Sequence, residues 1–518
     1  MHREKLSTTV KPIIVFVIVA AVLGSLVWLG WSLLHRQYSL PVVDDLQSNV
    51  KVNVGVVGAP QSLDIRTNAD TALDQALIGN VYETLIATDS QNKLTAGLAS
   101  KWSVSDDGLT YTFSMRRAQF ANGDTLDASD AAWSLKKIIE KQYQGADRLT
   151  AISGVAANGT KLTITLREPD PRLLRTLSGR AGIVYDSQQA GLDFATQTAG
   201  SGPFIVEHFQ PGQRIVLERN ADYWGVKAKA ASITLMYRSS TADLAAALNN
   251  KEIDAAVALD QSAVSTITVP DMVVKQGRST RKIILGMSNN TASILSDKRY
   301  RQAVRYLVDR QAMTDALGGG ETLNGPFAPL DEHGSDGSAD IFPHDTAKGT
   351  ELISYFRYRS GARRPLTFVC PQRYGDAGAK IGELLQQTLG SDPANVDLTV
   401  NMVDDATWQQ TVVQDRNFDF TLYEVDGEDD LDALMGDESF IAFVSADSQQ
   451  AWDTALHSAT ADEYAKNFKT FATMLNDDSP VDWICARKPI TVYANDLTGL
   501  PSNMTYTRIP LVNVTSAN

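Results

Sequence analysis

The chain has 518 residues, of which 43% are hydrophobic, 21% charged and 8% aromatic, a globular composition that excludes wholesale disorder, a coiled coil and a collagen-like rod. At roughly 100–200 residues per domain, this length holds about two to four domains. Lys and Arg number 47 against 61 Asp and Glu, a formal charge of −14 that argues against nucleic-acid binding, and two cysteines, Cys370 and Cys485, are too few for a disulfide framework or a four-cysteine zinc site.

Residues Pro12–Leu34 are uncharged, and only Ser25, Ser32 and two glycines interrupt their apolar run. As a helix, at ~1.5 Å per residue, the run is about 35 Å long and spans a bilayer. Trp28 and Trp31 lie towards its outer end, where indole rings favour the interface. Arg3, Lys5 and Lys11 precede it and Asp44-Asp45 follow, so residues 1–11 read as a cytoplasmic tail and the bulk of the chain as extracytoplasmic. The alternative is a cleaved signal peptide. Signal cores are usually about 7–15 residues and end at a small-x-small site. This run is longer, no clean site follows it, and no cysteine nearby can accept a lipid. A retained single-pass anchor over 12–34 is the expectation, with a polar tether over 35–50.

From Lys51 the pattern is α/β. Period-two alternation predicts strands at Lys51–Val57, Thr110–Met115, Lys161–Leu166 and Arg214–Leu217. Asp127 can cap a helix with Asp130 at its third position, and Ala131, Leu135, Ile138 and Ile139 fall on one face. Thr241–Leu248 reads as a helix stopped by Asn249-Asn250, and Tyr300–Leu317 as a longer one ended by Gly318-Gly319-Gly320. Asp331–Asp340, rich in Gly and Asp, reads as an exposed loop whose ligand spacing matches no calcium loop. A second α/β stretch begins near Leu366, with strands at Leu366–Val369 and Phe418–Leu422, so two α/β lobes are inferred.

Catalytic signatures are absent. There is no Gly-x-Ser-x-Gly elbow, no Gly-x-x-x-x-Gly-Lys loop and no His-Glu-x-x-His pair. No two of the six histidines stand at helical ligand spacing, so neither metal nor cofactor is expected. Acidic runs such as Asp404-Asp405 and Glu428-Asp429-Asp430 read as solvated faces, because acid–base catalysis depends on separations that sequence does not carry. An enzyme is not expected.

Several blocks do form a pattern. Asn80-Val81-Tyr82-Glu83-Thr84-Leu85 is followed by Gly97-Leu98-Ala99-Ser100-Lys101-Trp102, then by Asp106-Asp107-Gly108-Leu109-Thr110-Tyr111-Thr112-Phe113 and the capped helix. Gly200-Ser201-Gly202-Pro203-Phe204, Glu218–Trp224, Arg301-Gln302-Ala303 with Val308-Asp309-Arg310, and Ser479-Pro480-Val481 come next, in order. As a set they resemble the extracytoplasmic peptide-binding (family 5) solute-binding proteins of ABC importers. Individually the blocks read as core aromatics (Trp102, Tyr111, Phe113), a turn (Asp106-Asp107-Gly108) and a chain crossing (Gly202-Pro203). Three departures stand out. The family's aromatic-His-Asp-Gly-x-Pro turn is Phe120-Ala121-Asn122-Gly123-Asp124-Thr125, the lipid-accepting cysteine is missing, and Tyr423 stands where a tryptophan is usual.

The resemblance implies a two-lobed, hinged periplasmic-binding-protein-like α/β fold. Lobe one would comprise 51–80, 201–285 and 482–518, with 81–200 inserted as a subdomain, and lobe two 286–481. Closure of the lobes would bury a ligand between them. For an extended oligopeptide, affinity would come from main-chain pairing, and a carboxylate would fix the ammonium end. Carried over residue by residue, Asp426 is the amine acceptor and Tyr423-Glu424 are backbone partners. Gly58-Ala59 would add backbone contacts from the opposite lobe, with Arg373 and Tyr374 as further candidates. The implied partners are the permease and ATPase subunits of an importer, with the binding protein itself a monomer. A membrane-anchored sensing receptor of the same fold, a binder of a sugar, metal complex or haem, and a hydrolase are the other readings.

Overall fold

The computed structural model describes residues 49–334, 338–356, 362–436, 438–505 and 508–516. The anchor expected over 12–34 and the tether up to residue 48 lie outside them. Among the described residues no helix is long and apolar enough to cross a membrane.

Two sheets carry the chain. The first has seven strands in the order Phe204–Gln210, Arg214–Arg219, Ser232–Arg238, Lys51–Val57, Ala255–Leu259, Ile490–Ala494 and Met272–Gln276. Lys51–Val57 sits inside it, parallel to both neighbours, with Val52, Val54 and Val56 buried by the alternation that predicted the strand. Ser240 caps the helix Thr241–Asn249 through the Asp243 N–H, and Asn250 ends it, as expected. An antiparallel four-stranded sheet forms between Lys51–Val57 and Phe204–Gln210 in the chain, in the order Ala99–Val104, Thr110–Met115, Lys161–Leu166 and Ile152–Asn158. The helix Ala128–Lys141 packs on it, with Asp127 and Asp130 capping each other's backbone as the sequence predicts.

The second sheet has six strands in the order Glu321–Thr322, Val481–Ala486, Arg281–Met287, Phe420–Asp426, Arg364–Pro371 and Val396–Val403. Apolar side chains pack on both its faces, Ile283, Leu285 and Phe420 on one and Ile284, Val425 and Trp483 on the other. This arrangement shifts the expected lobe boundaries. Cuts at 285/286 and 481/482 would pass through Arg281–Met287 and next to the start of Val481–Ala486. Both strands belong to the second sheet, because their alternating side chains complete its two cores. The chain crosses between the sheets at 277–280 and 487–489.

Three local expectations change. Tyr300–Leu317 is two helices, Lys298–Leu307 and Arg310–Ala316, because the Asp309 side chain accepts from the Ala312 N–H and starts a new helix there. The strand expected over Phe418–Leu422 runs Phe420–Asp426, so the acidic segment continues the sheet instead of leaving it as a loop. Asp331, expected in an exposed loop, is fully buried against Lys282 at 2.5 Å, since a lysine inside the sheet needs a counter-ion.

The sequence blocks themselves are structural. Glu83 accepts hydrogen bonds from Tyr223 Oη (2.8 Å), Trp224 Nε1 (2.8 Å) and Ser201 Oγ (2.9 Å), tying two later blocks to a carboxylate of the first. A Cβ on Gly200 would stand 1.9 Å from the Val81 carbonyl oxygen, and one on Gly202 2.4 Å from that of Asn80, so only glycine permits the crossing.

Cys370 and Cys485 are both free and buried, in strands of the second sheet separated by two others. Three strand spacings amount to about 14 Å, beyond the ~7 Å limit for a disulfide. Cys485, expected in lobe one with 482–518, stands in the second sheet, and distance within that sheet keeps the two thiols apart. Burial raises both thiols, Cys370 to about 12 and Cys485 to about 11. Titration of unreduced protein is expected to find two thiols after denaturation and none reacting rapidly before it.

Candidate functional site

Where the two sheets meet, the crossings 277–280 and 487–489 run beside two cavities, of about 300 and about 470 Å³, which share Thr505 in their walls. The Phe420–Asp426 strand contributes to both. Its pairing with Arg281–Met287 is fixed by the Gly427 N–H donating to the Thr280 carbonyl and the Ser288 N–H donating to that of Asp419. In an antiparallel ladder this phase turns the main-chain groups of Tyr423 and Val425 towards Arg281–Met287, and those of Glu424 and Asp426 away from it. On that outer side Arg364–Pro371 pairs only as far as Thr421. Beyond it the edge at Glu424 has no strand neighbour among the described residues and can take an added one.

The smaller cavity is bounded by Ala258–Gln261 from the first sheet and by Arg373, Tyr374 and Glu424 from the second. Glu424 is bound by Arg281 and by Arg487, the latter with Nε at 3.0 Å and a terminal nitrogen at 2.9 Å. Burial alone would raise its pKa, but the two guanidinium charges hold it low. An ammonium gains little there, since the carboxylate is already neutralised. Arg373 pairs with Asp405 at 2.5 Å and lies over the Trp408 ring. Tyr374 is buried with its hydroxyl unpartnered among the described residues, and burial pushes its phenol up.

The larger cavity lies between the segment that carries the four-stranded sheet and the second sheet. Contacts across it hold the walls together: Arg175 to Glu332 at 2.9 Å, and Asn92 Nδ2 donating to the Leu330 carbonyl at 2.9 Å. Asp426 lines this cavity and accepts from the Thr280 hydroxyl. Burial raises its pKa; the Thr280 hydrogen bond works against that and the nearby Asp430 charge with it, leaving the group at about 6.

The candidate residues thus divide. Asp426 lines the larger cavity, while Glu424, Arg373 and Tyr374 line the smaller one. Tyr423 lines neither: its ring packs on Trp408 (5.9 Å) and Phe440 (4.7 Å), and its main-chain groups are taken by Ile284. Gly58 and Ala59 border neither cavity. The Gly58 N–H donates to the Arg238 carbonyl at 3.0 Å, and the Ala59 carbonyl accepts from Gln61 at 2.8 Å. The first-sheet wall is Ala258–Gln261 instead. Arg281, Arg487 and Arg508 escaped the sequence reading, because isolated arginines in strand ends and a C-terminal segment carry no spacing signal.

Residues 93–436 match the family described as bacterial extracellular solute-binding proteins, family 5, middle. The chain is 26% identical over 312 residues to the probable D,D-dipeptide-binding periplasmic protein DdpA of Escherichia coli K12, covering 57% of this chain and 60% of that one. It spans 54–67% of the length of the first curated relatives it matches. Among solved structures, the ABC transporter substrate-binding protein CtaP of Listeria monocytogenes superposes with a TM-score of 0.78 at 18% identity, over 91% of this chain and 100% of that one. NikA of Brucella suis, solved with Fe(III)-EDTA, gives 0.77 at 17% identity, over 90% and 100%. The two-lobed α/β fold of such binding proteins is therefore the fold of this chain. With two thirds of its length matched, the chain belongs to the bacterial extracellular solute-binding proteins of family 5.

Proposed function

We propose that this chain is the extracytoplasmic substrate-binding component of an ABC importer. It captures peptides between its lobes and delivers them to a membrane permease coupled to an ATPase. The observation that carries the reading is Asp426, a half-buried carboxylate in the larger cavity with no cation partner among the described residues, close to the edge at Glu424 that no described strand pairs. An ammonium end supplies the missing charge and an extended main chain supplies the missing strand. The uncharged run 12–34 supports tethering to the outer face of the membrane, with residues 35–50 as the leash. The test is mass spectrometry of ligand co-purified with the native protein: peptides are the expected finding, and a non-peptide solute alone would overturn the reading. A carboxylate-bearing metal chelate is the second reading, supported by the arginines around the cavities and by the likeness to a protein solved with Fe(III)-EDTA.

A pH dependence follows from Asp426. Its carboxyl in the free protein lies at about 6, and only the ionised form attracts an ammonium. Affinity for a free-amine peptide is therefore greatest near pH 7, between this carboxyl and the peptide's own ammonium at about 7.7–8.0, and falls below pH 6, approaching tenfold per unit. The stability sign is opposite. The folded pKa exceeds the unfolded ~3.9, so the charged carboxylate costs stability above pH 6 and protonation relieves that cost on acidification. Calorimetric titrations at pH 5, 6, 7 and 8 check the first statement, with Asp426→Asn expected to flatten this component of the profile.

A further inference from the structure

The charges lining the larger cavity mostly cancel in pairs. Arg180 takes Asp74, Arg175 takes Glu332 at 2.9 Å, His333 takes Glu428 at 2.7 Å and Lys282 takes Asp331 at 2.5 Å. Arg148 approaches Asp430 at 3.8 Å, and Arg172 lies over the Trp452 ring. Asp426 and Arg508 join none of these pairs. Asp426 has no cation and Arg508 has no carboxylate among the described residues.

Arg508 is held in place by its neighbour. The Ile509 N–H donates to the Gln75 carbonyl at 3.1 Å, and the Ile509 carbonyl accepts from Asn80 Nδ2 at 2.8 Å. One terminal nitrogen of Arg508 donates to the Ser178 carbonyl at 2.7 Å, while Nε is buried with no partner among the described residues. Burial and the adjacent Arg175 charge bring the guanidinium down to about 10, still protonated at neutral pH. A desolvated guanidinium facing a cavity without a counter-ion is unfavourable unless an anion arrives with the ligand.

We propose that Arg508 receives the carboxylate of a short zwitterionic ligand whose ammonium lies at Asp426, so that the preferred cargo is an unblocked di- or tripeptide and not a long extended oligopeptide. The proposal rests on the peptide reading above. Both charges line one cavity of about 470 Å³, whose walls are held together by Arg175–Glu332 and Asn92–Leu330. A ligand that satisfies both ends inside such a space must be short. A guanidinium also suits a carboxylate better than a lysine would, because it can donate in parallel from two nitrogens.

The test uses calorimetry with trialanine, trialaninamide, N-acetyltrialanine and hexa-alanine on the wild type, Arg508→Gln and Arg508→Lys. Wild type is expected to bind trialanine about tenfold to a hundredfold more tightly than trialaninamide, the range for a hydrogen-bonded charge. It should also bind trialanine more tightly than hexa-alanine. Arg508→Gln should bind acid and amide alike while still preferring the free amine, and Arg508→Lys should keep part of the carboxylate preference. The wild-type acid–amide comparison needs no variant, so misfolding of a variant does not shield the proposal. Equal wild-type affinity for acid and amide overturns Arg508 and leaves the amine site standing, as does an undiminished carboxylate preference in a folded Arg508→Gln. Tighter binding of hexa-alanine overturns the length assignment. Failure of all four peptides to bind overturns both this proposal and the peptide reading.

Discussion

Replacing Asp426 by asparagine is expected to weaken binding of a free-amine peptide by roughly a hundredfold or more, without loss of fold. The carboxylate lies half-buried beside Thr280, at about pKa 6, and has no cation of its own among the described residues. In such a site an ammonium completes a pair, and removing one partner of a buried pair typically costs ~3–5 kcal/mol, at about 1.4 kcal/mol per tenfold. Neighbouring acids offer little compensation, since Glu428 is held by His333 at 2.7 Å and Asp430 faces Arg148 at 3.8 Å. The decisive comparison is between trialanine and N-acetyltrialanine. Wild type should prefer the free amine and Asp426→Asn should not; an unchanged preference in the variant would remove Asp426 from the site. Asparagine keeps the shape and the acceptor for Thr280, so the loss reports charge and not packing.

The second large effect is on stability. Asp482 is fully buried in Val481–Ala486 and sits 3.0 Å from Arg305 Nε and 3.5 Å from an Arg310 terminal nitrogen. Arg305, equally buried, also donates to the Asn476 carbonyl (2.7 Å) and Oδ1 (2.9 Å), which fixes the guanidinium where it cannot swing out to water. Burial lowers the Arg305 pKa and Asp482 works against that fall. Asp482→Ala leaves a buried cation without its counter-ion, and a loss of about 3–5 kcal/mol follows. A lowered urea midpoint measures it. The double change Arg305→Met with Asp482→Leu is expected to recover much of the loss, because apolar residues of similar volume remove the uncompensated charge. A single-variant loss below ~1 kcal/mol would show that water or relaxation neutralises the site.

How far the site was legible follows from the same residues. Asp426 is a candidate through its position three residues beyond Tyr423 in a familiar block, and it lines the larger cavity. Tyr423 came from the same block and lies elsewhere. Which main-chain groups point to a ligand depends on ladder phase, and that phase is set by Gly427 against Thr280, 147 positions apart in the chain. Gly58 and Ala59 were placed by analogy at a strand exit, whereas the wall is formed at the exit of a neighbouring strand, Ala255–Leu259.

By itself the sequence determined the elements whose signals are local. Alternation at Lys51–Val57, Thr110–Met115 and Lys161–Leu166, and the Asp127–Asp130 cap, depend only on neighbours a few residues away. The ordered blocks, too, identified the family, because side chains such as Glu83, Tyr223 and Trp224 must meet wherever this fold is built. Tertiary structure alone decided the rest. Arg281–Met287 and Val481–Ala486 joined the second sheet because its two cores needed their side chains, and Asp331 went inside because Lys282 did. Which charges stay unpaired is a property of the whole cavity, since every pairing that excludes Asp426 and Arg508 joins residues distant in the chain. Local sequence carries no record of that cancellation.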